Sequence, residues 1–320
     1  MVLVTGATGF VGSCLCQKFF DDHIVFRRAL RFSDKQDDIS VGEIGAETDW
    51  SASLANVDCV VHLAACVQVA NTNSTESLDE FRRVNVNGTL NLAKQAAAAG
   101  VRRFIYLSSI KVNGEGTSSG SPYTAEDLPA PIDPYGISKH EAEIALQELC
   151  KETDMDLVII RPPLVYGPGV KANFLSMLKW LNNGIPLPFG AIRNNKRSLV
   201  SVDNLVDLVI VCINHPDARN QIFLVSDDED LSTTDLLKRI GNALEKKARL
   251  IPIPIRFLSI VAFLLRKQSV SQRLLGSLQL DISKTREILG WAPIVSVDQG
   301  LERTAHWYIN RLSEYQCDIS

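Results

Sequence analysis

Short apolar runs alternate with amphipathic segments over the first half of the chain. β-Branched runs predict strands at 2–6, 23–26, 59–65, 102–109 and 156–163. The later runs are almost continuously apolar, as in strands buried on both faces. Apolar residues at helical spacing predict helices at 10–20, 76–99 and 134–153. This alternation indicates an α/β fold of the Rossmann type, with a doubly wound parallel sheet.

The pattern changes after about residue 165, where Pro and Gly punctuate shorter segments such as "NNGIPLPFG" and "IPIPIR". We predict a dinucleotide-binding Rossmann domain at 1–165. The predicted second part, 166–320, is a smaller, interleaved lobe, mainly for substrate binding, with some segments returning to the sheet. The apolar run 257–265 is too short to span a bilayer, and we expect a core or lid helix there rather than a membrane-surface helix.

The composition of the chain restricts the classes of molecule that it is expected to bind. A net charge of -4 and a pI near 5.8 give no general attraction to nucleic acid or to anionic membranes, although Arg27, Arg28 and Arg31 form a local basic cluster. The seven cysteines show no metal-ligand spacing, so we predict reduced thiols, no metal and a cytoplasmic protein. The N-terminus begins with a strand and lacks the charged start of an export signal.

A glycine-rich turn, "TGATGFVG" at 5–12, joins the first predicted strand to the first predicted helix. Gly6, Gly9 and Gly12 allow a tight turn and a close approach of the backbone to a pyrophosphate. The free N–H groups of a helix N-terminus would bind its charge. The turn therefore predicts a dinucleotide site.

The segment "DPYGISKHEAE" predicts a helix start, with Asp133 as the N-cap and Pro134 in the first turn. Tyr135 and Lys139 are four residues apart and share one face. An ammonium beside a phenol favours the phenolate, which would lower the pKa of Tyr135. Alone, a Tyr-x-x-x-Lys pair is also a common accident of helix surfaces.

Six motifs, in order along the chain, remove that ambiguity: "TGATGFVG", "HLAA", "VNVNGTLNL", "YLSSIKVNG", "YGISK" and "RPPLVYGPG". In this order they resemble the extended short-chain dehydrogenase/reductase family, in particular its nucleotide-sugar epimerases, dehydratases and ketoreductases. The resemblance implies that Tyr135 transfers a proton, that Lys139 lowers its pKa and binds the nicotinamide ribose, and that Ser109 hydrogen-bonds the reacting sugar oxygen.

The same resemblance implies a cofactor site along the ends of the strands, with Asp49 at the adenine. Its expected residues are Gly6, Gly9, Phe10, Val11, Gly12, Arg28, Arg31, Asp49, Trp50, Ala64, Ala65, Asn85, Ser108, Tyr135, Lys139 and Pro162. The cofactor is NAD or NADP. Arginines rather than an early acid follow the second predicted strand, which favours NADP, since arginine suits a 2'-phosphate.

The family's branches differ around the serine. Ile110 and Lys111 stand where the 4,6-dehydratases carry an Asp-Glu pair, so the acid and base for water elimination are missing. Leu164 stands where UDP-galactose 4-epimerases usually carry asparagine. Lys111 either faces a substrate oxygen or reaches solvent, and the sequence leaves both open.

A UDP-sugar is the expected substrate, and the expected substrate residues are Lys111, Asn173, Phe189, Arg197 and Arg273. The resemblance implies reduction of the C4 keto group of a UDP-4-keto-6-deoxy-N-acetylhexosamine for surface polysaccharides. The alternative is a UDP-hexose 4-epimerase, and a non-catalytic NAD(P)-sensing protein is a third hypothesis. A homodimer is compatible with the sequence.

Overall fold

The computed structural model describes residues 1–33, 38–67, 74–118, 120–264, 272 and 274–317. A seven-stranded parallel sheet has the order β3-β2-β1-β4-β5-β6-β9, as expected for the Rossmann type. Its strands are β1 Val2–Thr5, β2 Phe26–Leu30, β3 Asp38–Ser40, β4 Cys59–His62, β5 Arg103–Leu107, β6 Asp156–Arg161 and β9 Gln221–Leu224. The direction of strand addition reverses between β1 and β4, where such sheets open a crevice.

Helices cover both faces of this sheet. The α-helices of the described residues are α1 Phe10–Asp21, α2 Ser51–Leu54, α3 Ser74–Phe81, α4 Thr89–Ala98, α5 Pro134–Lys151, α6 Ala172–Asn182, α7 Val202–Asn214, α8 Thr233–Ala243, α9 Ile255–Leu264, α10 Ser283–Leu289 and α11 Val297–Cys317. A π-helical segment, Arg82–Gly88, joins α3 to α4, and short 3₁₀ turns cover Ile110–Val112 and Pro216–Ala218.

Successive side chains of β1 point alternately to the two faces of the sheet and so contribute to the hydrophobic core on each face. Val2 and Val4 pack in a core that contains Leu15 of α1 and Leu205 of α7. Leu3 points to the opposite face, in a core that contains residues of α4 and α5. Because β1, β4, β5 and β6 are buried on both faces, their apolar runs correctly predicted strands.

The second strand was predicted wrongly, because it is β2 at Phe26–Leu30 rather than 23–26. Two arginines lie inside this strand because each has a partner elsewhere in the fold. The Nη1 atom of Arg27 donates to the carbonyl oxygens of Ser53 and Ala55, both at 2.8 Å. Arg28 forms a two-pronged ion pair with Asp38 of β3, at 2.6 and 3.0 Å.

The C-terminal half contributes both a lobe and a strand of the main sheet. β9 pairs with β6, so a segment of this half does return to the sheet. β7 Leu164–Tyr166 and β8 Leu199–Ser201 form a separate parallel pair, and a third core contains Phe174, Leu237 and Leu301. The division at residue 165 stays a prediction.

Residues 257–264 of the apolar run lie in α9. Phe257, Ile260 and Phe263 are 57%, 58% and 66% exposed. These three side chains face solvent, and the expectation of a core or lid helix stays a prediction. Within the described residues, no helix is long and apolar enough to cross a bilayer.

Candidate cofactor and active-site cleft

A cleft of about 580 Å³ opens at the switch point of the sheet. The turn after β1, the end of β2, the loop after β4 and the start of α5 all reach it. Its described lining residues are Gly6, Thr8, Gly9, Phe10, Val11, Gly12, Ala29, Leu30, Arg31, Phe32, Val41, Glu43, Ile44, Leu63, Ala64, Ala65, Val67, Val84, Leu107, Ser108, Tyr135 and Lys139. The cleft thus brings the glycine turn and the Tyr-Lys pair to one place.

The glycine turn fits tightly against its neighbours. Gly6 has a φ of +68°, and a Cβ there would lie 2.6 Å from the backbone nitrogen of Ala64. A Cβ on Gly12 would lie 2.1 Å from the carbonyl oxygen of Gly6. Gly9 is the N-cap of α1, and no side chain caps this helix end. The N–H groups of the first turn are therefore available to an anion in the cleft.

Lys139 is almost fully buried, with 2% of its surface exposed. Its Nζ donates to the carbonyl oxygen of Leu107 at 2.8 Å and lies 4.4 Å from the ring centroid of Tyr106. Burial lowers the pKa of Lys139 to about 7, although the nearby carboxylate of Glu143 acts in the opposite direction. Lys139 therefore changes protonation near neutral pH.

Tyr135 is half-buried, and its ring meets that of Phe81 edge to face at 5.9 Å. Burial raises the pKa of Tyr135, and the neighbouring Asp133 and Cys66 raise it further. The expectation that Lys139 lowers the pKa of Tyr135 is thus not met. Burial disfavours both charged forms, so the phenol stays neutral while the lysine readily loses its proton.

Two serines follow β5. Ser108 lines the cleft, and its buried Oγ has no hydrogen-bond partner among the described residues. Ser109 begins the next 3₁₀ turn, where its Oγ accepts from the backbone N–H of Lys111 at 3.3 Å. A buried hydroxyl without a partner is costly unless a ligand completes it, so Ser108 indicates a polar ligand in the cleft.

Lys111 does not simply reach into solvent. Its Nζ is ion-paired with Asp133 and lies 3.7 Å from an Oε1 of Glu115. The same Nζ is 5.9 Å from the ring centroid of Tyr135. Asp133 also caps α5, with its Oδ1 accepting from the N–H of Gly136 at 2.7 Å. Lys111 thus lies beside the start of the helix that carries Tyr135.

Asn85 and Pro162 support the cleft from outside its lining. The side-chain amide of Asn85 accepts from the backbone N–H of Cys66 at 2.8 Å and donates to its carbonyl at 3.0 Å. It also donates to the Oγ of Ser138 at 3.0 Å. The buried Pro162 accepts from the N–H of Ile110 at 3.0 Å. Both residues therefore position loops rather than line the cleft.

Three further residues expected at the cofactor, Asp49, Trp50 and Arg28, lie outside the cleft lining, whereas Arg31 belongs to it. Asp49 caps the N–H of Ser51 at 2.9 Å, and Trp50 is buried in a core. Among the described residues, neither Asp49, Trp50 nor Arg28 lines the cleft, and Arg28 is neutralised by Asp38. Arg31 does line it, 3.6 Å from Glu43, so the acid missing after the second strand is supplied after β3.

The sequence analysis missed several lining residues, which are Thr8, Ala29, Leu30, Phe32, Val41, Glu43, Ile44, Leu63, Val67, Val84 and Leu107. Most of them follow the carboxyl end of a strand. That position would have pointed to Glu43 and Ile44 if β3 had been predicted.

The expected substrate residues lie in the C-terminal lobe or beside α5. Asn173 is exposed in the first turn of α6. Phe189 packs against the core of the lobe, and its carbonyl accepts from the hydroxyl of Thr234 at 2.7 Å. Arg197 donates from Nη1 to the carbonyl of Gly276 at 3.2 Å. Arg273 lies outside the described residues.

Comparison with known proteins decides the family. The sequence model of the NAD dependent epimerase/dehydratase family matches residues 2–226. This chain belongs to that family.

Relatives of this epimerase/dehydratase chain match it along nearly its whole length. A protein of Vibrio cholerae named UDP-glucose 4-epimerase is 49% identical over 96% of this chain and 95% of its own. An epimerase of Escherichia coli O157:H7, named N-acetyl-alpha-D-glucosaminyl-diphospho-ditrans,octacis-undecaprenol 4-epimerase, is 27% identical over 96% of this chain and 94% of its own.

Solved structures share the fold of this family member. The UDP-glucose 4-epimerase of Thermotoga maritima, with UDP-glucose, has a TM-score of 0.75 at 24% identity and covers 97% of this chain and 99% of its own. A UDP-N-acetylglucosamine 4-epimerase of Bacillus cereus has a TM-score of 0.79 at 20% identity, covering 96% and 99%.

The cleft fits the NAD of the epimerase/dehydratase family in three respects. The glycine turn leaves no room for a side chain at Gly6 or Gly12. The uncapped start of α1 can receive a diphosphate. The unpartnered hydroxyl of Ser108 lies on the same cleft as Lys139. NAD is therefore the cofactor class of this cleft.

Proposed function

We propose that the protein is a UDP-hexose 4-epimerase that uses NAD, acting on UDP-glucose or a closely related UDP-sugar. The observation that carries the proposal is that Tyr135 and Lys139 line the same cleft as the glycine turn. This arrangement supports a role for Tyr135 in proton transfer beside the nicotinamide cofactor. The name of the Vibrio cholerae relative supports the 4-epimerase activity.

In this proposal, Tyr135 exchanges a proton with the C4 oxygen of the sugar, and Ser109 hydrogen-bonds that oxygen. Lys139 orients the cofactor ribose and, with a pKa of about 7, exchanges protons near neutral pH. The glycine turn and Lys139 would hold NAD, which when bound would supply the reversible hydride chemistry at C4 that an epimerisation needs. Asn85 holds the loop that contains Ala64 and Ala65 in place.

The uridine diphosphate is proposed to lie between the cleft and the C-terminal lobe. Asn173 and Arg197 are the proposed diphosphate residues, and the Phe189 segment is proposed to cover the base. An arginine fork suits phosphate oxygens.

A C4 ketoreductase is the second candidate, and Leu164 favours it. This leucine begins β7 and is 41% exposed, so it offers an apolar surface where UDP-galactose 4-epimerases usually carry asparagine. Its substrate would be a UDP-4-keto-6-deoxy-N-acetylhexosamine.

One pair of assays separates the two candidates. An epimerase should convert UDP-glucose to UDP-galactose, or UDP-N-acetylglucosamine to its C4 epimer, without net use of cofactor, followed by NMR of the sugar. A reductase should oxidise NADH or NADPH one for one with the 4-keto sugar, followed at the nicotinamide absorbance band. Cofactor oxidation without interconversion of epimers would replace the proposal with the second candidate.

We further propose NAD rather than NADP, because Glu43 lines the cleft beside Arg31 and a carboxylate repels a 2'-phosphate. Wild type should bind NAD more tightly than NADP in calorimetric titrations. Glu43→Gln should narrow that preference, whereas Glu47→Gln, exposed and outside the cleft lining, should leave it unchanged. A wild-type preference for NADP would contradict this assignment.

A further inference from the structure

An exposed apolar face on α9 stands apart from the cleft and from the three cores. Phe257, Ile260 and Phe263 follow one another at three-residue spacing and are all more than half exposed. Three-residue steps keep them on neighbouring positions of one helix face. The preceding Ile251 is also exposed, at 48%. We call these four residues the α9 face. Single exposed apolar residues are common on protein surfaces, whereas a group of four is not.

The α9 face is held to the body of the protein by its preceding segment. The N–H of Ile251 donates to the carbonyl of Leu187 at 2.8 Å, and the N–H of Gly190 donates to the carbonyl of Ile251 at 3.0 Å. Within the helix, Leu258 is half-buried. The exposed side chains therefore belong to an anchored helix with an inner and an outer side.

The charges near the α9 face in the sequence indicate the kind of partner that would bind it. The 35 residues from 246 to 280 contain seven lysines and arginines and not one aspartate or glutamate, in a chain of net charge -4. Four of these basic residues are described and exposed, namely Lys246, Lys247, Arg249 and Arg256. Apolar side chains in a segment whose only charged residues are basic match the surface of a bilayer with anionic headgroups.

We propose that the α9 face docks the protein on an anionic lipid bilayer, with the helix lying in the interface. A ten-residue helix is only about 15 Å long, so it lies along the surface and does not span it. Arg256 extends from the same helix and reaches headgroups while its stem covers apolar surface. The net negative charge of the whole chain turns the remaining surface away from such a membrane.

A second copy of the chain fits this face less well. A two-fold contact would place the same patch on both partners, and with it the basic residues of both copies against one another. Anionic lipid instead neutralises them. The proposal therefore revises the sequence-based expectation of a core or lid helix.

Vesicle flotation tests the proposal with the full chain. At low salt, wild type should float with phosphatidylcholine vesicles that contain phosphatidylglycerol, and much less with phosphatidylcholine alone. Phe257→Ser/Ile260→Ser/Phe263→Ser should weaken partitioning at least about tenfold, since three apolar side chains leave the bilayer. Lys246→Glu/Arg249→Glu/Arg256→Glu should weaken binding to the anionic vesicles by a similar factor.

The matched control is Phe20→Ser/Leu128→Ser/Ile294→Ser, which removes three apolar side chains that are 72%, 88% and 59% exposed elsewhere on the surface. It should float like wild type. Near-UV circular dichroism checks that each variant is folded. If the serine variant does not fold, the glutamate variant still tests the proposal. Wild type that stays with the buffer, or equal losses in control and test variants, would overturn the proposal. A change of oligomeric size without a change in flotation would assign the face to a second copy instead.

Discussion

Burial shifts the pKa values of Tyr135 and Lys139, two ionisable residues of the cleft lining, in opposite directions. It raises the pKa of Tyr135 and lowers that of Lys139 to about 7. Both shifts favour the uncharged form. At neutral pH the phenol therefore keeps its proton, and Lys139 is the group whose charge varies. Between about pH 7 and the ordinary pKa of lysine, the free energy of unfolding should therefore depend on the protonation of Lys139.

Tyr135→Phe tests the role of the phenol. The variant should keep its fold and bind NAD, since the ring contact with Phe81 remains, yet lose about 10² to 10⁴ in kcat because the proton-transfer group is gone. Tyr123→Phe is the control, because it removes a hydroxyl that donates to the carbonyl of Gly116 at 2.8 Å. Similar turnover in both variants would rule out Tyr135 as the proton-transfer group.

Lys139→Met tests the effect of burial on the lysine. The unfolded chain keeps this proton up to its ordinary pKa of 10.5, whereas the folded chain releases it above about 7. In this window the unfolded state binds more protons, so the free energy of unfolding of wild type should rise with pH relative to the variant. Urea unfolding of both proteins at about pH 7 and about pH 9.5 measures this difference in the free energy of unfolding. A constant difference between the two proteins would mean that the pKa is not lowered.

At the scale of elements, the turn between β1 and α1 depends on backbone contacts that no side chain can occupy. Gly12→Ala would place a Cβ 2.1 Å from the carbonyl oxygen of Gly6 and 2.8 Å from the Cα of Ala7. Because both neighbours are backbone atoms, the turn must shift. We expect a loss of about 1 to 3 kcal/mol in stability and weaker NAD binding.

Gly45→Ala is the matched control for this turn. A Cβ on Gly45 would meet only the end of the Arg83 side chain, at 3.9 Å. Thermal melts and NAD titrations should therefore separate the two variants. If Gly12→Ala melts and binds NAD like Gly45→Ala, the turn is more tolerant than its geometry indicates.

The elements that the sequence predicted well are those whose signals are local. β1, β4, β5 and β6 each contain at least three consecutive buried apolar residues, and α5 has its Asp133 cap and Pro134 within the helix start. β2 was misplaced because "HIVF" is apolar and the strand itself contains Arg27 and Arg28. Their partners are Asp38 and the end of α2, which depend on the tertiary fold.

In the candidate site, too, the sequence predicted the features with local signals and missed those that depend on the tertiary fold. The glycine turn, Tyr135 and Lys139 come from short motifs, and the structure brings them to one cleft. Asp49 was expected at the adenine from the family resemblance, whereas Glu43 can be recognised only once the position of β3 is known. The direction of the Tyr135 pKa depends on burial, which spacing along a helix does not reveal.

At the scale of the whole molecule, one buried carboxylate joins the sheet to the C-terminal lobe. Asp227, 6% exposed, accepts from the N–H of Ser201 at 2.8 Å, the Nδ2 of Asn204 at 2.7 Å and the hydroxyl of Tyr166 at 2.7 Å. Asn204 in turn bonds the backbone of Ile294 and Val295. β7, β8, α7 and the segment before α11 therefore meet at this side chain.

Asp227→Ala should destabilise the protein by about 3 kcal/mol or more, because three buried donors lose their acceptor. Asp227→Asn keeps one carbonyl oxygen for two of these donors and should cost much less. Urea unfolding, followed by tryptophan fluorescence, compares the two variants with wild type. Equal stability of Asp227→Ala and Asp227→Asn would mean that the lobes are joined by other contacts.

The order of the cleft along the chain bears on how the protein is made. Every described residue that lines the cleft lies between Gly6 and Lys139, in the first half of the chain. During translation, the cofactor cleft is therefore synthesised before any part of the C-terminal lobe. Its supporting helix α7, which packs against α1, comes only at Val202–Asn214. We expect a ribosome-bound chain to bind NAD stably once this helix has emerged, before the rest of the C-terminal lobe has been synthesised.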